Sequence, residues 1–313
     1  MKTNLRIKSA QNNFTPPPAH ERELLGRGRA TTCGILYIVA TPIGNLADIS
    51  LRALDTLKQV DLIAAEDTRR TKRLLSHYGI QKPLISLHEY NEERRSRIIL
   101  ERVREGSGVA LVSDAGTPLI SDPGYKLIRV LRAANVQIVP VPGACAAITA
   151  LCASGLPTDK FVFAGFLPAK QAARVRCLQD MASEAATLIF YVSPHRVIDV
   201  VSDMAAVFGD QREVVLAREL TKQFETIWSG CFAALLNLFQ FDLNQQKGEF
   251  VLLVRGAEKK QAEVDENAVK VLRILARELP TAQAVKLTAE ITGVSKNKLY
   301  PFQFKMRDYN KEQ

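Results

Sequence analysis

Between residues 35 and 155, short apolar runs alternate five times with helical patterns. The runs cover residues 35–40, 61–66, 83–87, 108–112 and 136–139, and their centres are nearly continuous in apolar residues. A half-exposed strand would alternate apolar and polar. A strand apolar throughout must be covered on both faces, and joining such strands through helices makes them parallel. The intervening segments fit that demand. Leu51, Leu54 and Leu57 keep helical spacing, residues 70–78 end at Gly79, which suits a helix C′ position, and residues 91–104 form a charged helix. Helices are also expected over 125–134 and, rich in alanine, up to about Ala153.

This arrangement puts four unusual loops on one edge of the sheet, after the carboxyl ends of their strands: 41–45, 66–69, 113–124 and 141–146. Open α/β sheets bind ligands there. The 113–124 loop is the most constrained, with Gly116, Gly124, Pro118, Pro123, Asp114 and Asp122 in one short stretch. Proline fixes φ and glycine permits close approach, so the segment reads as a ligand cradle rather than a plain connection. No dinucleotide-binding G-x-G-x-x-G, P-loop or G-x-S-x-G elbow is present. Loops of Gly, Pro, Thr and short apolar residues suit a neutral or cationic ligand better than a bare phosphate.

Gly155-Leu156-Pro157 breaks the pattern and marks a domain boundary. Strands are expected at 161–164, 187–192, 214–217, 224–228 and 248–254, with a helix over 194–208. Two of these strands follow each other without a helix, so the second sheet is expected to be mixed. A charged linker (258–266) leads to a helical end in which residues 281–300 have the cadence of a helix-turn-helix, with Gly293 at the turn. The expected organisation is a disordered basic extension (1–34), an N-terminal α/β domain (35–156), a C-terminal α/β domain (157–257) and a helical region (264–313).

The formal charge of +9 over 313 residues points towards a polyanionic partner, nucleic acid first. In the extension, Lys2, Arg6, Lys8, Arg22, Arg27 and Arg29 outnumber Glu21 and Glu23. The odd count of five cysteines, none in a C-x-x-C pair, argues against a disulfide framework and for a reducing compartment, the cytoplasm. Cys145 and Cys152 read as core residues. The four histidines have no metal-ligand spacing, no metal is expected, and neither a membrane span nor a signal peptide is evident.

Five motifs, in order and with natural spacing, carry a resemblance. They are Thr41-Pro42-Ile43-Gly44-Asn45 after the first strand, Glu66-Asp67-Thr68-Arg69, Ser113-Asp114-Ala115-Gly116-Thr117-Pro118, Val141-Pro142-Gly143-Ala144-Cys145-Ala146, and Gly165-Phe166-Leu167-Pro168. Together they closely resemble the tetrapyrrole methylase-like superfamily, and within it the enzymes that methylate ribose in small-subunit ribosomal RNA. The resemblance covers about residues 35 to 300. It implies two α/β domains of tetrapyrrole methylase type with a cofactor cleft between them, a homodimer, and S-adenosyl-L-methionine as methyl donor. The implied reaction is 2′-O-methylation of a cytidine in the decoding region of 16S rRNA within the small ribosomal subunit. The superfamily's cofactor contacts map onto Ile43, Gly116, Thr117, Ile120, Cys145 and Ala146. By strand correspondence alone they also map onto Tyr191, Ala217 and Phe250. Many tetrapyrrole-modifying relatives have an acidic residue where this chain has Thr117, which removes a charge from that contact.

A ribose hydroxyl is a poor nucleophile, so a general base or an orienting hydrogen bond is expected. Glu66, Asp67 and His88 are the candidates on the loop edge. Asp67 equally suits a helix N-cap; His88 suits neutral-pH proton transfer but also a structural role; Asp114 suits a brace holding the loop. For RNA, Arg69, Arg70 and Arg73 cluster beside the edge, and Lys170 is a candidate from the second domain. The charged helix with Arg94, Arg95, Arg97, Arg102 and Arg104 also carries Glu92, Glu93, Glu101 and Glu105, and a solvated face explains it equally well. Two other functions compete: methylation of a small tetrapyrrole, and non-catalytic RNA binding through the C-terminal helices.

Overall fold

The computed structural model describes residues 34–258 and 264–309, with side chains to residue 302. The expected basic extension, apart from Gly34, lies outside the described residues. Two compact units emerge. One holds the described residues up to Ala153 together with Ala217–Thr226; the other holds Ser154–Leu216 and the chain from Ile227 onward.

In the first unit the elements alternate as the apolar runs require. They are β1 (Ile35–Val39), α1 (Leu51–Gln59), β2 (Leu62–Ala65), α2 (Thr68–His77), β3 (Leu84–Ser86), α3 (Glu92–Arg104), β4 (Val109–Val112), α4 (Tyr125–Ala133), β5 (Gln137–Val141) and α5 (Ala146–Ser154). The sheet order is β3-β2-β4-β1-β5 and every printed pairing is parallel. Successive residues of β4 serve opposite cores. Ala110 and Val112 pack with Leu57 and Leu75 of α1 and α2, while Val109 and Leu111 pack with Ile99, Val103, Leu127 and Leu131 of α3 and α4. All four β4 residues are buried, which is why the run shows no polar alternation.

Strand ends differ from expectation by a residue or two, as hydrogen-bonded boundaries usually do. Gly79 has φ +64° just beyond α2, the left-handed geometry expected of a C′ glycine. Cysteine placement differs more. Cys145 is half-buried and Cys152 is exposed on α5 rather than in the core. The reason is compositional: Ala146–Ser154 is apolar nearly all round, so the sequence gives no stripe from which to choose a buried face.

The second unit contains β6 (Phe161–Phe166), α6 (Gln171–Asp180), β7 (Thr187–Val192), α7 (Val197–Phe208), β8 (Glu213–Arg218), β9 (Thr226–Cys231), α8 (Phe232–Phe241) and β10 (Phe250–Val254). Its order is β6-β7-β10-β8-β9. β6 runs parallel to β7 and β10 runs antiparallel to it, so this sheet is mixed. Two helices were not anticipated, α6 and α8. α6 is weakly patterned because Arg174 occupies its buried face, and α8 is so apolar that its run reads equally well as core strand. The residues expected to open the α7 helix, Pro194–Arg196, form a separate 3-10 turn.

At the end of the chain, α9 (Glu266–Glu278), α10 (Thr281–Thr292) and α11 (Lys296–Tyr309) share a small core of Ala268, Leu272, Ala284, Val285, Val294 and Leu299. Gly293 takes φ +72° between α10 and α11, so the turn needs a residue that tolerates the left-handed region. Among the described residues no helix is long and apolar enough to cross a membrane.

Candidate active site

The loops at the carboxyl edge of the first sheet are tied to one another. Thr41 and Gly116 exchange both backbone hydrogen bonds, at 2.8 and 3.0 Å, forming an isolated antiparallel bridge between the β1 and β4 loops. Thr117 Oγ1 donates to the carbonyl of Ala144 at 2.9 Å and joins the β4 loop to the β5 loop. Gly116 has φ +82°, and a Cβ there would lie 3.3 Å from Ile43 Cγ2 and 3.6 Å from the Ala144 carbonyl oxygen. The expected cofactor residues Ile43, Gly116, Thr117 and Ala144's neighbours Cys145 and Ala146 therefore lie on three mutually braced loops. Ile43 is buried, Ile120 is exposed, and Cys145 and Ala146 are half-buried at the start of α5.

The 113–124 loop stores backbone strain. Leu119 (φ +74°) and Ser121 (φ +68°) join Gly116 and Gly124 in the left-handed region. A leucine there is costly, of order 1–3 kcal/mol, and such residues cluster at ligand sites. The loop is held at its far end by Glu92. That side chain is buried on α3, and its Oε1 accepts the N–H groups of Gly124, Lys126 and Leu127 at 3.2, 2.7 and 3.2 Å. A carboxylate thus caps α4, whose own N-cap, Gly124, has no side chain to do so. The sequence placed Glu92 among solvated charges; only the tertiary fold turns it inward.

Beside this loop the acids form a chain. Asp114 Oδ1 accepts the Asp67 N–H at 2.9 Å, and its Oδ2 lies 3.5 Å from Arg70 Nε. Asp114 is a brace, but for the β2 loop rather than its own. Glu66 Oε2 accepts the Asp114 N–H at 3.3 Å. Burial first, with Asp114 and Asp67 adding repulsion, raises the Glu66 carboxyl above its ordinary value. Asp122, not foreseen as a site residue, is pushed up to about 7 by burial, then by the charges of Glu66 and Asp114 and against a hydrogen bond from Ser113. The signal in the sequence was only that two aspartates share one loop.

Asp67 is different. It is the N-cap of α2, accepting the Arg69 N–H at 2.8 Å, and the Arg69 guanidinium forks onto both its oxygens at 3.1 and 2.8 Å. That partner holds its carboxyl down at about 2. His88 is also committed. Asn91 Oδ1 accepts the His88 backbone N–H, which fixes the amide so that its Nδ2 faces His88 Nε2 at 2.9 Å. The Nε2 lone pair is thereby used, and Nδ1 is buried with no hydrogen-bond partner. Arg69, Arg70 and Arg73 are exposed on the first turns of α2.

The segment Ala217–Thr226 completes the first unit. Thr221 Oγ1 accepts the Asn45 N–H at 3.1 Å, and Gly44 lies so close that a Cβ there would be 2.6 Å from Lys222 Cγ. Glu219 and Thr221 take φ +52° and +67°, a second strained turn. Ala217 is fully buried here. The remaining expected residues are in the second unit: Tyr191 is half-buried with its ring against Phe163 and Phe166, Phe250 is buried at the start of β10, and Lys170 is exposed before α6. Among the described residues no group of acids, histidines and cysteines is placed to hold a metal ion.

Two parallel and mixed α/β units, with braced Gly- and Pro-rich loops on the carboxyl edge of the first, define a methylase. The model of the Tetrapyrrole (Corrin/Porphyrin) Methylases matches residues 35–235, and the chain belongs to that family. A model described as the RsmI C-terminal HTH domain matches residues 262–302. Within the family, a Haemophilus influenzae protein named Ribosomal RNA small subunit methyltransferase I is 55% identical over 271 residues, 86% of this chain and 96% of that one. A protein of the same name from Escherichia coli O157:H7 is 52% identical over 269 residues, 86% of this chain and 94% of its own length. Solved structures share the fold. The crystal structure of diphthine synthase has a TM-score of 0.55 at 17% identity, covering 71% of this chain and 90% of that one. That of a cobalt precorrin-4 methyltransferase scores 0.53 at 18%, covering 74% and 98%.

Proposed function

We propose that this protein transfers the methyl group of S-adenosylmethionine to small-subunit ribosomal RNA in the cytoplasm, at the 2′-oxygen of a cytidine in the decoding region of 16S rRNA. The observation that carries the reading is the identity above 50%, across most of both chains, to proteins named for methylating that RNA. The alternative, a small tetrapyrrole substrate, has only the family description and neighbours under 25% identical behind it, and it leaves the C-terminal HTH match unused.

The residues of the first unit fit the methyl donor. Ile43 and Ile120 offer apolar contact, Gly116 keeps open a space that any side chain would narrow against Ile43, and the Glu66, Asp114 and Asp122 carboxyls suit a cation. Ile43, Gly116, Thr117, Ile120, Cys145 and Ala146 would hold it. When bound, the donor supplies a methyl group on a positively charged sulfur, which needs alignment with the attacking oxygen and little else.

The chain's own task is to orient the ribose hydroxyl and take its proton. Of the three expected bases, Asp67 is unsuited, since a carboxyl held at about 2 by Arg69 has little proton affinity. The accepting nitrogen of His88 is occupied by Asn91. Glu66 remains, with a raised carboxyl and with Asp122 held near 7 beside it. A base poised near neutral pH balances availability against proton affinity. Glu66→Gln should therefore lower kcat by roughly 10²–10⁴, the range of general-base contributions, with donor affinity retained.

Mass mapping of methylated nucleosides in 16S rRNA, with and without the protein, tests the whole reading. A new 2′-O-methylcytidine in the decoding region is expected, and 2′-deoxy substitution at that nucleotide should abolish transfer. Methylation on a base, or preferential methylation of a tetrapyrrole in a competition assay, would refute it.

A further inference from the structure

The β3–β2 side of the first sheet carries a surface that the reaction described above does not use. Ala65 and Ser86 are register partners at the ends of β2 and β3, and the Leu87 N–H donates to the Ala65 carbonyl at 2.8 Å. The segments that follow, 87–91 and 66–70, therefore leave the sheet side by side. On the first sits Tyr90, 96% exposed, the most exposed of the large hydrophobic side chains described. Its turn is rigid. The Asn91 amide donates to the Ser86 carbonyl at 3.3 Å, the Asn91 N–H donates to the His88 carbonyl at 3.0 Å, and the Tyr90 ring meets the His88 ring edge-on at 6.1 Å.

On the second segment Arg69 and Arg70 present side chains 86% and 64% exposed. Each is anchored by one carboxylate, Arg69 on Asp67 and Arg70 on Asp114, so the guanidinium planes are oriented in advance. The neighbours of Tyr90 in sequence are polar: Glu89, Asn91 and, on the first turn of α3, the exposed Arg94. A protein interface would surround its aromatic anchor with apolar core. An isolated, solvated aromatic beside anchored guanidinium groups matches single-stranded RNA, whose bases stack on aromatic rings while its phosphates meet cations.

We infer that Tyr90 stacks a nucleobase of single-stranded RNA whose phosphates lie on Arg69 and Arg70, so that this edge steers the strand towards the β2 and β4 loops. The inference rests on the rRNA reading and assigns Tyr90 a positioning role. The test uses the full chain with isolated small ribosomal subunits and with an unstructured, cytidine-containing oligoribonucleotide. Tyr90→Ala should weaken binding of the oligoribonucleotide about tenfold or more and raise KM for the subunit, with kcat and S-adenosylmethionine affinity unchanged. Tyr90→Phe should retain binding and Tyr90→Leu should not, a contrast that holds even if the alanine variant folds poorly. Replacing Arg69 and Arg70 with glutamine should flatten the salt dependence of log K by about one unit. Unchanged affinity and KM in Tyr90→Ala would overturn the inference, as would a shift in oligomeric state with RNA binding intact, which would make Tyr90 a self-association contact. If the wild-type chain failed to methylate subunits, the rRNA reading would fail separately, and the oligoribonucleotide contrast would still decide the stacking.

Discussion

The chain holds its two most constrained loops by opposite means. In the second unit the 168–174 corner is fixed from inside. Arg174 Nε meets Asp203 Oδ2 at 2.6 Å with both side chains almost wholly buried, Gln171 Nε2 donates to the other Asp203 oxygen at 2.9 Å, and Arg174 Nη1 reaches the carbonyls of Pro168 and Ala169. In the first unit the 113–124 loop is fixed from its rim, by neighbouring loops, a helix-capping glutamate and residues in strained φ. Its acids stay near the surface and repel one another. The difference separates architecture from chemistry. A buried pair with every partner satisfied has no capacity left for a ligand, whereas an edge of crowded carboxyls and left-handed backbone keeps an unfavourable arrangement that only function explains.

The sharpest way to break this contrast is at Arg174. Arg174→Met leaves Asp203 buried without its cation and should cost about 3–5 kcal/mol, read as a lower denaturation midpoint. The double change Arg174→Met with Asp203→Leu should recover most of it. A loss below 1 kcal/mol for the single change would mean the corner is not held as described.

At the edge, Gly116→Val should leave the second unit's stability intact and reduce S-adenosylmethionine affinity at least tenfold by calorimetry. Valine is disfavoured at φ +82° and crowds Ile43. Normal donor binding would remove Gly116 from the site.

Asp122 gives a smaller, pH-dependent effect. Its carboxyl titrates at about 7 in the folded protein and at about 3.9 in an unfolded chain. Between those values the folded state binds the proton and the unfolded state does not, so stability falls as pH rises through the window and the loss is complete above 7. Asp122→Asn should therefore melt higher than wild type at pH 8, by a few degrees for each 1 kcal/mol regained, with the advantage vanishing near pH 4. An advantage independent of pH would refute the assignment.

The smallest effect is expected at Asp67. Asparagine caps helices as well as aspartate does, so Asp67→Asn should change stability by about 0.5 kcal/mol or less and leave kcat within a few-fold. A loss beyond a hundredfold would restore Asp67 as a base.

What could be read in advance divides along the same line. The five-fold strand–helix alternation of the first unit was legible because β4 and its neighbours are apolar on both faces, which admits one solution. The edge loops were legible because parallel topology puts every strand's carboxyl end on one side. The roles within them were not. Whether Asp67 caps or catalyses depends on Arg69 folding back onto it, and the inward turn of Glu92 depends on α3 lying beside the start of α4, a neighbour more than thirty positions away in sequence. Local pattern contains neither. α6 and α8 were missed for a related reason: a buried arginine hides the apolar face of one, and uniform apolarity erases the face of the other.

The position of β1 has a consequence for how the chain is made. β1 lies between β4 and β5, its partners Val109–Leu111 and Gln137–Val141 far downstream. A chain synthesised from its amino terminus carries β1 with both edges unpaired until those later strands have left the ribosome. Edges of that kind invite misassociation, and pairing of such long range is slow. The Thr41–Gly116 bridge and the Thr117–Ala144 link cannot form earlier either. The donor loops are therefore the last part of the first unit to come into being, and slowing translation before residue 137 should lengthen the interval in which the nascent chain needs protection.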